Sequence, residues 1–321
     1  MLALVEITAW HWVGFILGVI IFLALDLGVF HRTAHVVRFR EAMFWTILWA
    51  SLALLFAGAL VLWRNHEEAV QFFTGYFIEL SLSMDNVFVI ALIFTYFRVP
   101  SEHQHRVLFW GILGALIMRG LMILAGVALV TRFDWVLYLL GLVLLYTGLK
   151  MLFVRSDKIE PDKNPVARLA RQFLPLSPDF EGQKLTVVRN GQRLLTPLFL
   201  VLLMVETADL IFAVDSIPAI FGVTRKPFIV FTSNVFAILG LRSLYFVLAG
   251  AIGYFRCLKF GLSIVLLFIG VKMLIDPHDR RPRWFQYDIP DSSSLAVVVS
   301  IIAAAILASL IAARRERDRN K

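Results

Sequence analysis

Two apolar stretches of this chain carry nearly the same acidic pattern: Glu79-Leu-Ser-Leu-Ser-Met-Asp85-Asn86-Val87 and Asp209-Leu-Ile-Phe-Ala-Val-Asp215-Ser216-Ile217. Each sets a second carboxylate six residues after the first and follows it with a small oxygen-bearing side chain. A charged side chain at mid-bilayer costs roughly 2.5–3.5 kcal/mol on insertion scales, so several together require a compensating partner. Carboxylate, amide and hydroxyl oxygens are hard donors, suited to Mg²⁺, Ca²⁺ or Mn²⁺. The chemistry these residues suggest is cation binding within a membrane.

On an ideal helix Glu79, Ser83 and Asn86 share one face, as do Glu206, Asp209, Ala213 and Ser216. Asp85 and Asp215 point elsewhere. Either they have a second role, such as pairing with an arginine, or their helices unwind locally, as discontinuous membrane helices do; Pro218 makes a break in the second segment plausible. Arg119 and Arg242 are the basic groups placed to pair with the acids, yet five acids (Glu79, Asp85, Glu206, Asp209 and Asp215) against two guanidiniums leave an excess of negative charge. Asn234 is a further candidate ligand, and Asp26 is either an entry ligand or an interfacial pair with a basic neighbour. Met84 and Met204 flank the acidic positions; a thioether would favour Mn²⁺ over Mg²⁺, but ordinary core packing is the stronger reading of each. The histidines (His11, His31, His35, His66, His103, His105 and His278) fall at span ends or in connections, which argues against a tuned Zn²⁺, Cu²⁺ or Ni²⁺ centre and a bis-histidine haem. A single cysteine, Cys257, excludes an intrachain disulfide, a Cys-x-x-Cys pair and a thiolate cluster.

The elements that must position these groups are membrane helices. Of 321 residues, 60% are hydrophobic and 17% charged, with a mean hydropathy of +0.80. That composition predicts an all-α polytopic membrane protein with about nine transmembrane helices, over 10–30, 41–63, 69–97, 107–130, 135–153, 196–218, 226–249, 256–275 and 295–313. The first lacks a basic n-region and a small-residue cleavage site, so it reads as a retained helix. Trp10, Trp12, Trp45 and Trp63 near span ends fit an interfacial belt.

Lysines and arginines in alternate connections, counted together with those at the adjoining span ends, number 21 on one side and 8 on the other, with Arg119 and Arg242 deep inside spans completing the 31. This asymmetry predicts an outside N-terminus and a cytoplasmic C-terminus. The net charge of +8 is thus mostly a topology signal, and no compact basic domain suggests nucleic acid as a partner. No Gly-x-x-x-x-Gly-Lys-Ser/Thr motif points to ATP.

Spans three to five match spans six to eight. The acidic segments open each half, Arg119 and Arg242 follow, and Leu142 to Leu152 aligns with Ile264 to Leu274, including Gly148 with Gly270 and Lys150 with Lys272. Leu-rich helices resemble one another by chance, but the ordered set of carboxylates, arginine and lysine argues against chance. In the predicted topology the two halves have opposite orientations, an inverted repeat that places one site at the midplane. The organisation expected is a two-helix segment (1–68), a first three-helix repeat (69–153), a cytoplasmic connection (154–195), a second repeat (196–275), and a ninth helix with a basic tail (276–321). Within the connection, Asn164-Pro165 predicts a short amphipathic helix on the membrane surface, and Asn190-Gly191 predicts a hairpin turn.

At these motifs the chain resembles the TerC family of integral membrane proteins. The resemblance rests on Leu25-Asp26-Leu-Gly-Val-Phe-His31-Arg32, on Phe72 to Val89 around Glu79 and Asp85, on Arg106-Val-Leu-Phe-Trp-Gly-Ile-Leu-Gly114, and on Glu206 to Ala219. It runs from about residue 10 to 275, and among the family's branches the alkali-induced one is most similar. What the resemblance implies is Mn²⁺ export across a bacterial inner membrane, with Glu79, Asp85, Asn86, Glu206, Asp209, Asp215 and Ser216 as the acidic-motif positions. It also carries older labels of tellurite resistance and redox modulation. The expectation is a secondary transporter and not an enzyme, with no resident cofactor. Its cargo is Mn²⁺ or another hard divalent cation, protons are its coupling ion, and its oligomeric state is open. The rivals are a membrane redox modulator and a stress-resistance scaffold that does not transport.

Overall fold

The computed structural model describes residues 7–25, 39–153, 172, 175, 177–189, 191–249, 258–276, 287 and 289–319. Among them are nine helices: α1 (Ala9–Leu25), α2 (Phe39–Trp63), α3 (His66–Tyr96), α4 (Ser101–Arg132), α5 (Trp135–Phe153), α6 (Pro197–Phe221), α7 (Pro227–Ala249), α8 (Leu258–Ile275) and α9 (Asp291–Arg319). Strands β1 (Thr186–Arg189) and β2 (Gln192–Leu195) lie between α5 and α6. Helices α2 to α9 are long and apolar enough to cross a membrane, and α1 is a 17-residue apolar helix. The chain is an all-α polytopic membrane protein.

Three helices clearly outrun the apolar stretches that announce them. α3 begins at His66 because Asn65, in extended backbone, caps it by accepting from Glu68 N at 2.7 Å. α4 begins at Ser101, after Pro100, and α9 extends from Asp291 to Arg319. α6 runs unbroken through Pro218, so the local unwinding weighed for Asp215 is not seen. α3 is equally continuous.

α7 is the central helix: 89% of its membrane segment is buried inside the protein, against 22% for α2, α4 and α9. Exposed Leu55, Ile117, Leu121 and Leu124 are what lipid-facing surfaces require. Small residues let backbones approach where helices cross. A Cβ at Gly75 of α3 would lie 2.9 Å from Ser233 Oγ of α7. Gly141 of α5 packs on the Gly270 backbone of α8, and Gly148 on that of Ser263. As the number rises by seven in α5 it falls by seven in α8, so these helices cross antiparallel. Likewise Gly75 faces Ile220 and Asn86 faces Asp209, so α3 and α6 are antiparallel.

One end of the bundle is tied by a polar chain. Lys272 of α8, 3% exposed, lies 3.2 Å from Asp291 Oδ1 of α9; Gln71 Nε2 donates to Asp291 Oδ2 at 2.7 Å; Thr224 Oγ1 donates to Gln71 Oε1 at 2.8 Å. Glu68, also buried, is held by Arg64 and Lys226. Cavities of about 610 and 290 Å³ flank Asp291 at this end.

The hairpin forms where expected. β1 and β2 pair antiparallel from Thr186↔Leu195 to Arg189↔Gln192, and Gly191 supplies the left-handed backbone of the turn at φ +77°. Thr196, fully buried, donates to the Lys184 carbonyl at 2.7 Å and so anchors the hairpin to the start of α6. The surface helix expected after Asn164, together with Asp26 and Cys257, lies outside the described residues.

Candidate metal centre

Glu79 is the fourteenth residue of 31 in α3, and Asp209 the thirteenth of 25 in α6. Both therefore sit near mid-helix. Because the helices run antiparallel, the residue seven positions after each carboxylate lies opposite its counterpart: Asn86 beside Asp209, and Ser216 on the guanidinium that holds Glu79. The one-face geometry of a 3.6-residue repeat is what brings these four side chains to one point.

That point is filled by Arg119 of α4, which is 3% exposed. Its Nε donates to Asp209 Oδ2 at 3.2 Å and its Nη2 to Asp209 Oδ1 at 2.9 Å, a two-pronged pair. Its Nη1 donates to Glu79 Oε1, to Ser216 Oγ at 3.2 Å and to Asn234 Oδ1 of α7 at 3.1 Å. Asn86 Nδ2 adds a 2.8 Å bond to Asp209 Oδ1. One guanidinium thus joins groups from α3, α6 and α7, and with two carboxylates the cluster keeps a formal charge of −1.

Several oxygens around it remain without a hydrogen bond although they are buried: Glu79 Oε2, Ser83 Oγ, Asn86 Oδ1 and Glu206 Oε2. Buried polar atoms are normally satisfied, so a set of orphaned acceptors in one region calls for an explanation. All four are hard oxygen donors. Glu206 is half-buried, one turn before Asp209 on α6, and its carboxylate occupies the space above Gly114 of α4 that a Cβ would need.

The remaining predicted residues lie apart from this cluster. Asp215 turns to α5, where Thr147 Oγ1 donates to its Oδ1 at 2.9 Å. Asp85 is half-buried, and the positive charge acting on it is Lys259 of α8. Arg242 is buried in α7, eight residues beyond Asn234, about 12 Å along the helix axis. Met204 packs in the apolar core, and Met84 against its edge. Among the described residues no three His, Cys, Asp or Glu side chains stand close enough together to hold a metal ion by themselves. The converging set is two carboxylates with amide and hydroxyl oxygens.

Ser83, Gly114 and Thr147 were not singled out as site residues from sequence. Ser83 lies on the Glu79 face and was legible by periodicity. Gly114 follows Gly111 at helical spacing, a small-residue pattern that marks close helix approach. Thr147 had no signal, since its repeat counterpart is Ile269.

A family model described as "Integral membrane protein TerC family" matches residues 64–317. A Myxococcus xanthus protein named "Uncharacterized membrane protein STKORF319" is 53% identical over 94% of this chain and 92% of its own length. The Escherichia coli (strain K12) protein named "Putative membrane-bound redox modulator Alx" is 45% identical, covering 91% of each chain. A Rickettsia bellii membrane protein is 36% identical over 94% of this chain and 97% of its own. No solved structure matches the chain.

Proposed function

The chain belongs to the integral membrane protein TerC family, and from that premise we propose that it is a secondary transporter exporting Mn²⁺, or a similar hard divalent cation, from the bacterial cytoplasm in exchange for protons. The observation that carries this reading is the mid-helix meeting of Glu79, Asp209, Asn86 and Ser216 from two antiparallel helices, with buried oxygens of Glu79 and Asn86, and of Ser83 and Glu206 one turn along the same helices, that take no hydrogen bond. Glu79 and Asp209 carry the charge, and Asn86, Ser216, Asn234 and Ser83 supply neutral oxygens. Asp85, Asp215 and Glu206 flank this core and serve passage to and from it.

The antiparallel crossings of α3 with α6 and of α5 with α8 support treating the two helix triplets as an inverted repeat. Glu67 and Asp291, lining the cavities at the start of α3 and α9, then lie on the outer side, where the cation leaves. Moving a +2 ion outward against ~100 mV costs about 4.6 kcal/mol, so an energy source is required. Carboxylates that release metal outward and take protons there, then yield those protons to incoming metal inside, supply the exchange.

The test is Mn²⁺ uptake into inverted membrane vesicles. Accumulation driven by an acid-interior gradient, abolished by a protonophore and by Glu79→Gln, is the expected result. Uptake indifferent to the proton gradient would remove the coupling, and no uptake at all would remove the transport reading. The name carried by several relatives favours redox modulation as the second reading. It predicts a redox cofactor absorbance or a thiol-dependent activity in the purified protein; with one cysteine per chain, a thiol pair would require two copies.

A further inference from the structure

We propose that Arg119 is the resident cation of this site, a tethered guanidinium that the cargo must displace, and that Glu206 is the group that receives it. The inference rests on the transport reading above and adds the step by which the site exchanges one positive charge for another.

Arg119 occupies the space a cargo ion needs. Every charged or polar group it touches, Glu79, Asp209, Ser216 and Asn234, is one of the converging oxygens. A divalent cation and a guanidinium cannot both hold the two carboxylates in a buried site, because they repel each other there. Loading therefore moves the guanidinium. An arginine released within the membrane interior needs another anion, since an unpaired buried charge is strongly destabilising.

Glu206 meets that need. It lies one turn from Asp209 on α6, its carboxylate presses on α4 at Gly114, and its Oε2 is buried without a partner. Glu206 precedes Asp209 by three residues on α6, so the two carboxylates are neighbours along one helix face. In the proposed exchange the guanidinium passes from Asp209 to Glu206, the neighbouring carboxylate one turn back on α6. Formal charge then selects the cargo. Glu79, Asp209, Glu206 and Arg119 together carry −2, which a divalent cation neutralises and a monovalent one does not.

The test is Mn²⁺ binding to the purified full chain, followed by calorimetry in wild type, Glu206→Gln, Arg119→Gln and the double variant. Glu206→Gln is expected to weaken Mn²⁺ binding about tenfold, a coupling typical of interacting pairs. Arg119→Gln is expected to tighten it, to let Na⁺ compete, and to make Glu206→Gln silent. If Arg119→Gln does not purify as a single species, Arg119→Lys replaces it: the unforked ammonium tightens Mn²⁺ binding less, and the Glu206→Gln effect shrinks. An equal effect of Glu206→Gln in both Arg119 backgrounds would make Glu206 a direct ligand and overturn the proposal, as would unchanged affinity on replacing Arg119. Absence of Mn²⁺ binding in wild type and every variant would instead overturn the transport reading itself.

Discussion

Asn86 of α3 donates to Asp209 of α6 at 2.8 Å, and each of the two stands seven residues from its partner in the same motif, Glu79 and Ser216, on the opposite side of one guanidinium. Two sequence motifs thus close on each other head to tail. The arrangement divides the acidic residues into those that meet Arg119 and those that do not, and that division is testable.

Asp209→Asn removes the anchor that takes two of the guanidinium's donors. Breaking a buried pair by deleting one partner costs about 3–5 kcal/mol. The variant is expected to lose Mn²⁺ flux and to unfold at a clearly lower temperature in detergent. Wild-type flux from Asp209→Asn vesicles would place the cargo elsewhere.

Asp215 points to Thr147 and away from the cluster. Asp215→Asn should therefore leave Mn²⁺ affinity near wild type while slowing flux. Thr147→Val should cost about 1 kcal/mol of stability, as for one lost hydrogen bond. Equilibrium binding measured beside vesicle flux separates the two effects. If Asp215→Asn abolished binding as Asp209→Asn does, Asp215 would belong among the ligands.

Gly114 has no room for a side chain while Glu206 is in place. Gly114→Ala is expected to destabilise the protein by about 1–3 kcal/mol through overpacking. In a Glu206→Ala background the same change should cost little. Thermal unfolding of the four proteins tests this, and additive costs would show that α4 is crowded by something other than Glu206.

The polar tie between α3, α8 and α9 gives a fourth expectation. Lys272→Met leaves Asp291 with only Gln71 among its described partners, at a cost of about 2 kcal/mol for a bond to a charged group. Lys272→Met with Asp291→Leu should be less destabilising than the sum of the single changes. Neither change should alter Mn²⁺ affinity, because the tie meets α3 at Gln71, eight residues and about 12 Å from Glu79. A shift in affinity would link this end to the site.

The membrane helices were legible because uninterrupted apolar runs admit few other structures, and their ends were less so because polar residues such as Asn65 and Asp291 extend a helix past its apolar stretch. The face shared by Glu79 and Asn86, and the divergence of Asp85 and Asp215, followed from helical periodicity alone. That Arg119 enters the cluster while Arg242 lies further along α7 did not follow, since the two occupy equivalent places in the repeat. The same holds for the lysines: Lys272 is buried against α9, while Lys150 is exposed. α9 has no counterpart in the first triplet, so repetition in sequence cannot predict what it covers.

The crossing of α5 and α8 carries a mechanical consequence. Gly148 accepts Leu267 of the facing helix and Gly270 accepts Leu145, so each helix drives a peg into a notch on the other. Paired pegs of opposite sense block sliding along the seam in either direction, while rotation about the contact stays cheap. Any rearrangement that exposes Glu79 and Asp209 first to one side of the bilayer and then to the other would use this joint as a fulcrum. Leu145 and Leu267, neither of them a polar group of the site, would then set how fast the two halves rock.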